Sequence, residues 1–318
     1  MSEFLNKIIC GDCIEVLGEI REPFADLIFA DPPFNIGYTY DKYYDKVKKK
    51  NYIAWTKDWM SVCKKVLKPH GSFYIAIGDE YAANVKIIAD ELGLFMRNWI
   101  IWHYTFGQQT KNKFARAHTH IFYFVNHKKN FTFNEHAVRV PSDRQLIYND
   151  RRANPIGKMP NDVWDEFPRV CGTFKERTGW HPCQMPERLL KRIIAVSSNP
   201  GDCVLDPFSG SGTTAAAAYQ LGRNYAGIEI SEKYVENAKK RLNDLKNQQH
   251  ANLFLNPIEL SELKQLLLDM NRPAKEIIAD RKLLKLFTNQ FTVRMNNQKR
   301  YQAEEIIIAL KDLAVRST

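Results

Sequence analysis

A carboxylate, two prolines and an aromatic ring follow one another at Asp31-Pro32-Pro33-Phe34, directly after the apolar run from Ala25 to Ala30. The run reads as a buried strand. Proline has a fixed φ and donates no ladder hydrogen bond, so the strand ends in a stiff turn with Asp31 before it and Phe34 after it. In open α/β sheets this carboxyl edge is where ligands bind. A fixed carboxylate and backbone carbonyls can accept the protons of an exocyclic amine, while the ring holds a planar base by its face. A proline-rich strand end with no chemistry is the plain alternative for these four residues alone.

A second constellation changes that balance. Asp206 is followed by Pro207, Phe208, Ser209, Gly210, Ser211, Gly212, Thr213 and Thr214, between a strand pattern at Cys203–Leu205 and a helical one. The glycines permit a tight turn and close ligand approach, and the helix start offers free N–H groups. The third glycine of a dinucleotide fingerprint is missing, and there is no Gly-Lys-Ser/Thr of a phosphate loop. A carboxylate at the strand tip disfavours phosphate and favours a cation such as a sulfonium or ammonium. Glu229 lies 23 residues after Asp206, at the end of the next strand, where an acidic side chain accepts hydrogen bonds from ribose hydroxyls. Together these residues describe a site for an adenosyl amino acid.

The elements that must position these groups can be read from the pattern. Strands are predicted at Lys7–Cys10, Ala25–Ala30, Ser72–Ile77, Trp99–Tyr104, His120–Val125, Cys203–Leu205 and Tyr225–Ile228. Helices are predicted over Ile14–Ile20, after Asn51 with Pro69-His70-Gly71 as the stop, and over Glu80–Leu92, Pro186–Val196, Thr213–Leu221 and Glu232–Leu245, the last capped by Ser231. Asn35 to Asn51 reads as a polar loop with Tyr38, Tyr40, Lys48 and Lys49, expected to be mobile from Tyr38 to Lys50. From Asn126 to Gly179 the periodicity decays, among Arg139, Arg144, Arg151 and Arg152. That length is unusual for a simple connection. Beyond Lys246 three short helical patterns appear, near 259–270, 274–290 and 301–314.

The 318 residues fit one large α/β domain with an extension, and 44% hydrophobic content supplies a core. No apolar run reaches the roughly 20 residues of a membrane span, and the first residues do not make a signal peptide. The chain reads as a soluble, cytoplasmic protein. A formal charge of +10 with 12% aromatics favours a polyanion partner. Cys10-Gly11-Asp12-Cys13 has metal-pair spacing, but no second pair completes a zinc site, so no metal is expected.

Asp31-Pro32-Pro33-Phe34, the loop from Asp206 to Gly212 and the stretch His181-Pro182-Cys183-Gln184-Met185-Pro186 together resemble the DNA amino-methyltransferases in their β order, catalytic motif first and glycine loop last. The resemblance covers about residues 7–246. It implies a Rossmann-like, seven-stranded methyltransferase sheet, circularly permuted so that the usual first strand is Cys203–Leu205. It also implies a catalytic domain over 1–246, with a target-recognition region at 127–180, and leaves 247–318 as a small helical extension. S-adenosyl-L-methionine is the implied cofactor. Its implied contacts are Asp12 and Cys13 at the adenine ring, His181 at the methionine end, the loop Asp206, Phe208, Ser209, Gly210, Ser211, Gly212 and Thr213, and Glu229 with Ile230 at the ribose. Met185 departs from the lysine the family often has.

The implied reaction is methyl transfer to the N6 amine of a flipped adenine in double-stranded DNA. Asp31 and the Pro32 carbonyl would accept the amine protons, Pro33 would stiffen the turn, and Phe34 would stack on the base. Asp31 in place of serine favours adenine over the N4 amine of cytosine. Tyr38, Tyr40, Lys48, Lys49, Arg139, Arg144, Arg151 and Arg152 are the candidate DNA contacts. A cognate restriction endonuclease and a homodimer stay open as partners, and no membrane is implied. The rival readings are an RNA or protein-glutamine methyltransferase and, from a different class, a non-catalytic nucleic-acid-binding protein on the same fold.

Overall fold

The computed structural model describes residues 4–108, 110–148, 150–247, 255–295 and 301–316. They form two compact units: residues 1–132 with 162–246, and residues 133–161 with 247–318.

The first unit is built on one sheet. Its strands are β1 (Lys7–Cys10), β2 (Ala25–Ala30), β3 (Leu67–Ile77), β4 (Phe95–Gln108), β5 (Arg116–Val125), β6 (Val163–Trp164), β7 (Cys203–Asp206) and β8 (Asn224–Glu229). They lie in the order β1-β8-β7-β2-β3-β5-β4-β6, with β5 antiparallel to both neighbours and every other pair parallel. The two-residue edge strand β6 makes the count eight, where the sequence gives reason to expect seven. Such a short pairing leaves no periodicity to read. Every residue of β2 is buried, as expected for a parallel strand covered on both faces.

The helices of this unit are α1 (Cys13–Gly18), α2 (Lys49–Val66), α3 (Asp79–Glu91), α5 (Glu187–Ser197), α6 (Thr213–Gln220) and α7 (Glu232–Asn247), while α4 (Asp143–Leu146) belongs to the other unit. Trp59, Met60, Cys63 and Val66 of α2 enter the core beside Phe73, Phe122 and Leu205. Pro69-His70-Gly71 does not terminate α2, which already ends at Val66. It lies within β3, where Leu67 pairs with Ala25 and Ser72 with Leu27, so residues 68–71 bulge out opposite Asp26. A bulge is where a proline fits a sheet. This one lets Lys68 and His70 reach the buried Asp26 carboxylate at 2.9 and 3.0 Å, and Asp26 also accepts the Cys203 N–H at 2.9 Å.

The second unit joins part of the irregular middle stretch to the C-terminal helices. Besides α4 it contains α8 (Pro257–Asp269), α9 (Ala274–Ala279), α10 (Arg281–Arg294) and α11 (Ala303–Arg316). The pattern at 274–290 is two helices, because the Asp280 side chain caps a new one through the N–H groups of Lys282 and Leu283. Leu263, Leu266, Ile277, Phe287, Phe291, Ile306 and Leu310 form its core, with Leu146 packed on it. Arg294 is buried between Glu262 (3.0 Å) and Asp269 (2.7 Å) and donates to the Arg139 carbonyl, while Gln290 donates to the carbonyls of Arg139 and Ile156. The 127–180 stretch is therefore divided, with 133–161 co-folding with the C-terminal helices and 162–180 belonging to the sheet unit. Lys299 and Arg300, cations of the C-terminal stretch, lie outside the described residues.

Candidate active site

Both motif carboxylates stand at the carboxyl edge of adjacent central strands. Leu205 pairs with Ile28, so Asp206 ends β7 beside the end of β2 and Asp31 lies just beyond it. From here the chain leaves β2 toward β3 on one side and β7 toward β8 on the other, which makes the gap a topological switch point. It opens into a cavity of about 760 Å³. Asp12, Cys13, Asp31 to Phe34, Tyr38, Tyr40, His181, Asp206, Phe208 to Ser211, Thr213, Glu229 and Ile230 all line it. The sequence motifs, which run from Asp12 to Ile230, thus meet around one space.

The turn after β2 is locked from outside. The Tyr52 hydroxyl donates to the Pro33 carbonyl at 2.6 Å, and Gly78 leaves room for the Phe34 ring, which would stand 3.3 Å from a Cβ there. Burial pushes the Asp31 carboxyl up to about 8, helped by the charge of Asp206 and opposed by Arg169. Burial likewise raises Asp206 to about 7, against hydrogen bonds from Thr214 Oγ1 (2.5 Å) and the Phe208 N–H (3.0 Å). Two carboxyls held this far above their ordinary range make a site that gains by meeting positive charge.

The glycine loop is positioned by close contacts. Gly210 has φ +47° and a Cβ on it would stand 2.8 Å from His181 Nε2; Gly212 has φ +70° and its Cβ would stand 2.9 Å from that of Ala238. Gly212 shapes the loop without lining the cavity. The Glu229 carboxylate accepts from the Gly210 N–H and the Ser231 N–H, both at 2.9 Å. Arg241 holds the far side through the Ser211 carbonyl (3.1 Å) and Thr213 Oγ1 (2.9 Å). Asp12 caps α1 by accepting from the Ile14 N–H at 2.7 Å. Burial pushes Cys13 up to about 12 and His181 down to about 4, so thiol and imidazole are both neutral near pH 7.

The loop after the turn carries hydrogen bonds at both ends. The buried Asp45 carboxylate accepts the N–H groups of Asn35 (2.6 Å), Ile36 (3.2 Å) and Tyr38 (3.1 Å). Asp41 accepts from Ser231 Oγ at 2.6 Å, tying the loop to the end of β8. Tyr38 and Tyr40 reach the cavity, whereas Lys48 and Lys49 are exposed at the start of α2 and do not line it. Arg139, Arg144, Arg151 and Arg152 belong to the second unit. Arg139 is engaged there by Glu135 (3.0 Å) and the Gly157 carbonyl (2.9 Å), and Arg152 by Asp150 (3.0 Å), while Arg144 and Arg151 are not buried.

The DNA methylase profile for N6 and N4 amino-methylation matches residues 25–240 of the chain. The chain belongs to the N6/N4 DNA methylase family. As a methylase it is 40% identical over 238 residues to the type II methyltransferase M.HpaI of Haemophilus parainfluenzae, covering 74% of each chain. It is 41% identical over 247 residues to the DNA adenine methyltransferase YhdJ of Escherichia coli K12, covering 74% of this chain and 82% of that one. Among solved structures, the DNA modification methylase TTHA0409 of Thermus thermophilus, complexed with S-adenosyl-L-methionine, shares the fold, with a TM-score of 0.55 and 23% identity over 76% of this chain and 94% of that one. The methylase is thus an S-adenosylmethionine-dependent DNA amino-methyltransferase, as the three motifs implied.

Its cavity has a donor set that fits this cofactor. Beside the two raised carboxyls, the buried Ser209 Oγ has no hydrogen-bond partner within the protein, and it lines the cavity together with His181. Four residues of the site escaped sequence reasoning. Asp45, Arg241 and Arg169 carry no motif. Gly227 is needed because a Cβ there would stand 2.7 Å from Ser209 Oγ, and its only signal is a glycine inside a strand. No described helix is long and apolar enough to cross a membrane, and no described cluster of His, Cys, Asp or Glu could hold a metal ion.

Proposed function

We propose that the methylase acts on the exocyclic N6 amine of adenine in duplex DNA, with Asp31 as the catalytic carboxylate. The observation that carries this reading is the meeting of Asp31 with Asp206 and Glu229 around one cavity at the switch point. The 41% identity to a DNA adenine methyltransferase supports adenine, as does an aspartate rather than a serine at the head of the motif.

S-adenosylmethionine, when bound, supplies an electrophilic methyl group on a positive sulfur. Asp206, His181, the Ser209–Thr213 backbone and Glu229 would hold it, with Asp12 and Cys13 at its adenine. A base inside a duplex cannot reach this cavity, so the target must leave the stack. Phe34 stacks on the extruded base. Asp31 and the Pro32 carbonyl accept hydrogen bonds from its two amine protons, which draws the nitrogen lone pair out of the ring and toward the methyl group, and the proton that the methylated nitrogen sheds passes to Asp31. Asp31 must be ionised for this, so its raised pKa has to fall as positive charge enters the cavity. Arg169 already pulls in that direction. The chemistry is positioning plus electrostatics, with no covalent enzyme intermediate.

The test is methylation of plasmid DNA by the purified chain, followed by digestion to nucleosides and mass analysis. N6-methyladenine is expected. N4-methylcytosine as the product would overturn the base assignment while leaving the family intact.

A further inference from the structure

Extruding a base leaves a gap in the duplex, and a group from the protein has to hold it open. The longest strand pair of the sheet offers one. β3 stops at Ile77, opposite His120 of β5. β4 and β5 run on past that edge, pairing Trp102 with Thr119, His103 with His118 and Gln108 with Arg116. Four residues from His120 to Arg116 make an arm of about 13 Å at the usual rise per residue. The turn at its end adds several more.

The root of this arm belongs to the catalytic cavity. Trp102, Tyr104, Arg116, His118 and Thr119 line it, and Arg116 is anchored by Asp79 at 2.9 Å. The tip is different in kind. Phe114 is 99% exposed, and its neighbours Lys111 and Lys113 are exposed too. Single exposed apolar residues are ordinary. A whole phenyl ring in water, next to two lysines, at the end of a ribbon that starts at the cavity mouth is a different situation. A two-stranded ribbon fits the major groove of DNA, lysines pair with phosphates, and apolar wedges inserted at base steps are a recurrent device for opening a stack.

We infer that the β4–β5 arm enters duplex DNA beside the cavity and that Phe114 wedges into the space vacated by the target base. The inference rests on the proposed function, since it requires base extrusion. The wedge stabilises the extruded state and touches neither the cofactor nor the reacting amine. Its loss therefore matters only where extrusion is costly.

The experiment uses the full chain and a duplex carrying the methylation site mapped in plasmid DNA. A second duplex has the same site with the target adenine opposite an abasic position. Single-turnover methyl transfer is measured for the wild type, Phe114→Ala and Phe114→Trp. On the paired duplex Phe114→Ala should be slower by about 10- to 100-fold, the range expected from losing one base–aromatic stack, and Phe114→Trp should stay within about threefold of the wild type. On the unpaired target Phe114→Ala should recover to within about threefold. Cofactor affinity should be the same for all three. Wild-type rates for Phe114→Ala on the paired duplex would overturn the wedge, as would an equal loss on both duplexes. A wild-type chain that methylates no DNA at all would sink the proposed function first and the wedge with it.

Discussion

Replacing Glu229 by alanine removes two things at once, a hold on the glycine loop and a contact to the cofactor ribose. Sequence logic makes Glu229 a ribose acceptor only, but both of its oxygens already accept backbone N–H groups, from Gly210 and Ser231 at 2.9 Å each. A hydrogen bond to a charged group contributes about 1.5–3 kcal/mol. Glu229→Ala removes two, and cavity water can replace part of each, so a net loss of about 2–4 kcal/mol of stability is expected. The ribose contact adds a separate loss in binding, of about one to two decades in cofactor affinity. Glu229→Gln is no conservative change here. Its single carbonyl oxygen can serve one N–H, and its amide nitrogen must face the other, so it should fall between alanine and wild type in both measurements. Thermal unfolding and calorimetric titration with S-adenosylmethionine read the two effects separately. Unchanged unfolding in Glu229→Ala would refute its role in holding the loop, and unchanged affinity would refute its role at the ribose.

Three further outcomes follow from the geometry. The folded pKa of Asp31, about 8, lies above its ordinary value of 3.8, so the stability it contributes is full below about pH 4 and is lost as pH rises toward 8. In the cofactor-free chain, Asp31→Asn should therefore gain on the wild type in thermal midpoint from pH 5 to pH 8 and stay level above, by at most about 1.4 kcal/mol per pH unit; a constant gap would count against the raised value. Asp45→Ala unties three backbone N–H groups of the loop, and tryptic cleavage at Lys42 or Lys46 should accelerate by about tenfold or more; an unchanged rate would mean the loop is held by other contacts. Arg294→Met strands two buried carboxylates and should cost about 3–5 kcal/mol in denaturant unfolding of the second unit, while cofactor affinity stays as it was.

The sequence made the central strands and the cofactor loop legible because their signals are local. Asp31-Pro32-Pro33-Phe34 and Gly210–Gly212 announce turns at strand ends, and Ala25–Ala30 is apolar at every position but one. What it hid depends on distant pairing. The forward extension of β4 and β5 is set by register between His103 and His118, which no window of sequence contains. Asp45 looks like any acid in a lysine-rich loop until three N–H groups converge on it. The middle stretch looked like one region because its periodicity is weak throughout, yet Gln290 and Arg294 draw residues 133–161 to the C-terminal helices through the carbonyls of Arg139 and Ile156, a tie that leaves no residue pattern behind.

Asp31 carries the proposed chemistry. Single-turnover transfer to duplex DNA at saturating S-adenosylmethionine, with cofactor affinity measured in parallel, compares the wild type with Asp31→Ala. The wild type should yield N6-methyladenine. The variant should bind the cofactor within about tenfold of the wild type, since Glu229, Asp206 and the glycine loop are intact and only the attraction of the Asp31 charge is lost, yet transfer methyl groups slower by about 10²–10⁴-fold, the usual scale for removing a positioned proton acceptor. A variant that transfers within tenfold of the wild type would contradict the assignment of Asp31 and the mechanism built on it.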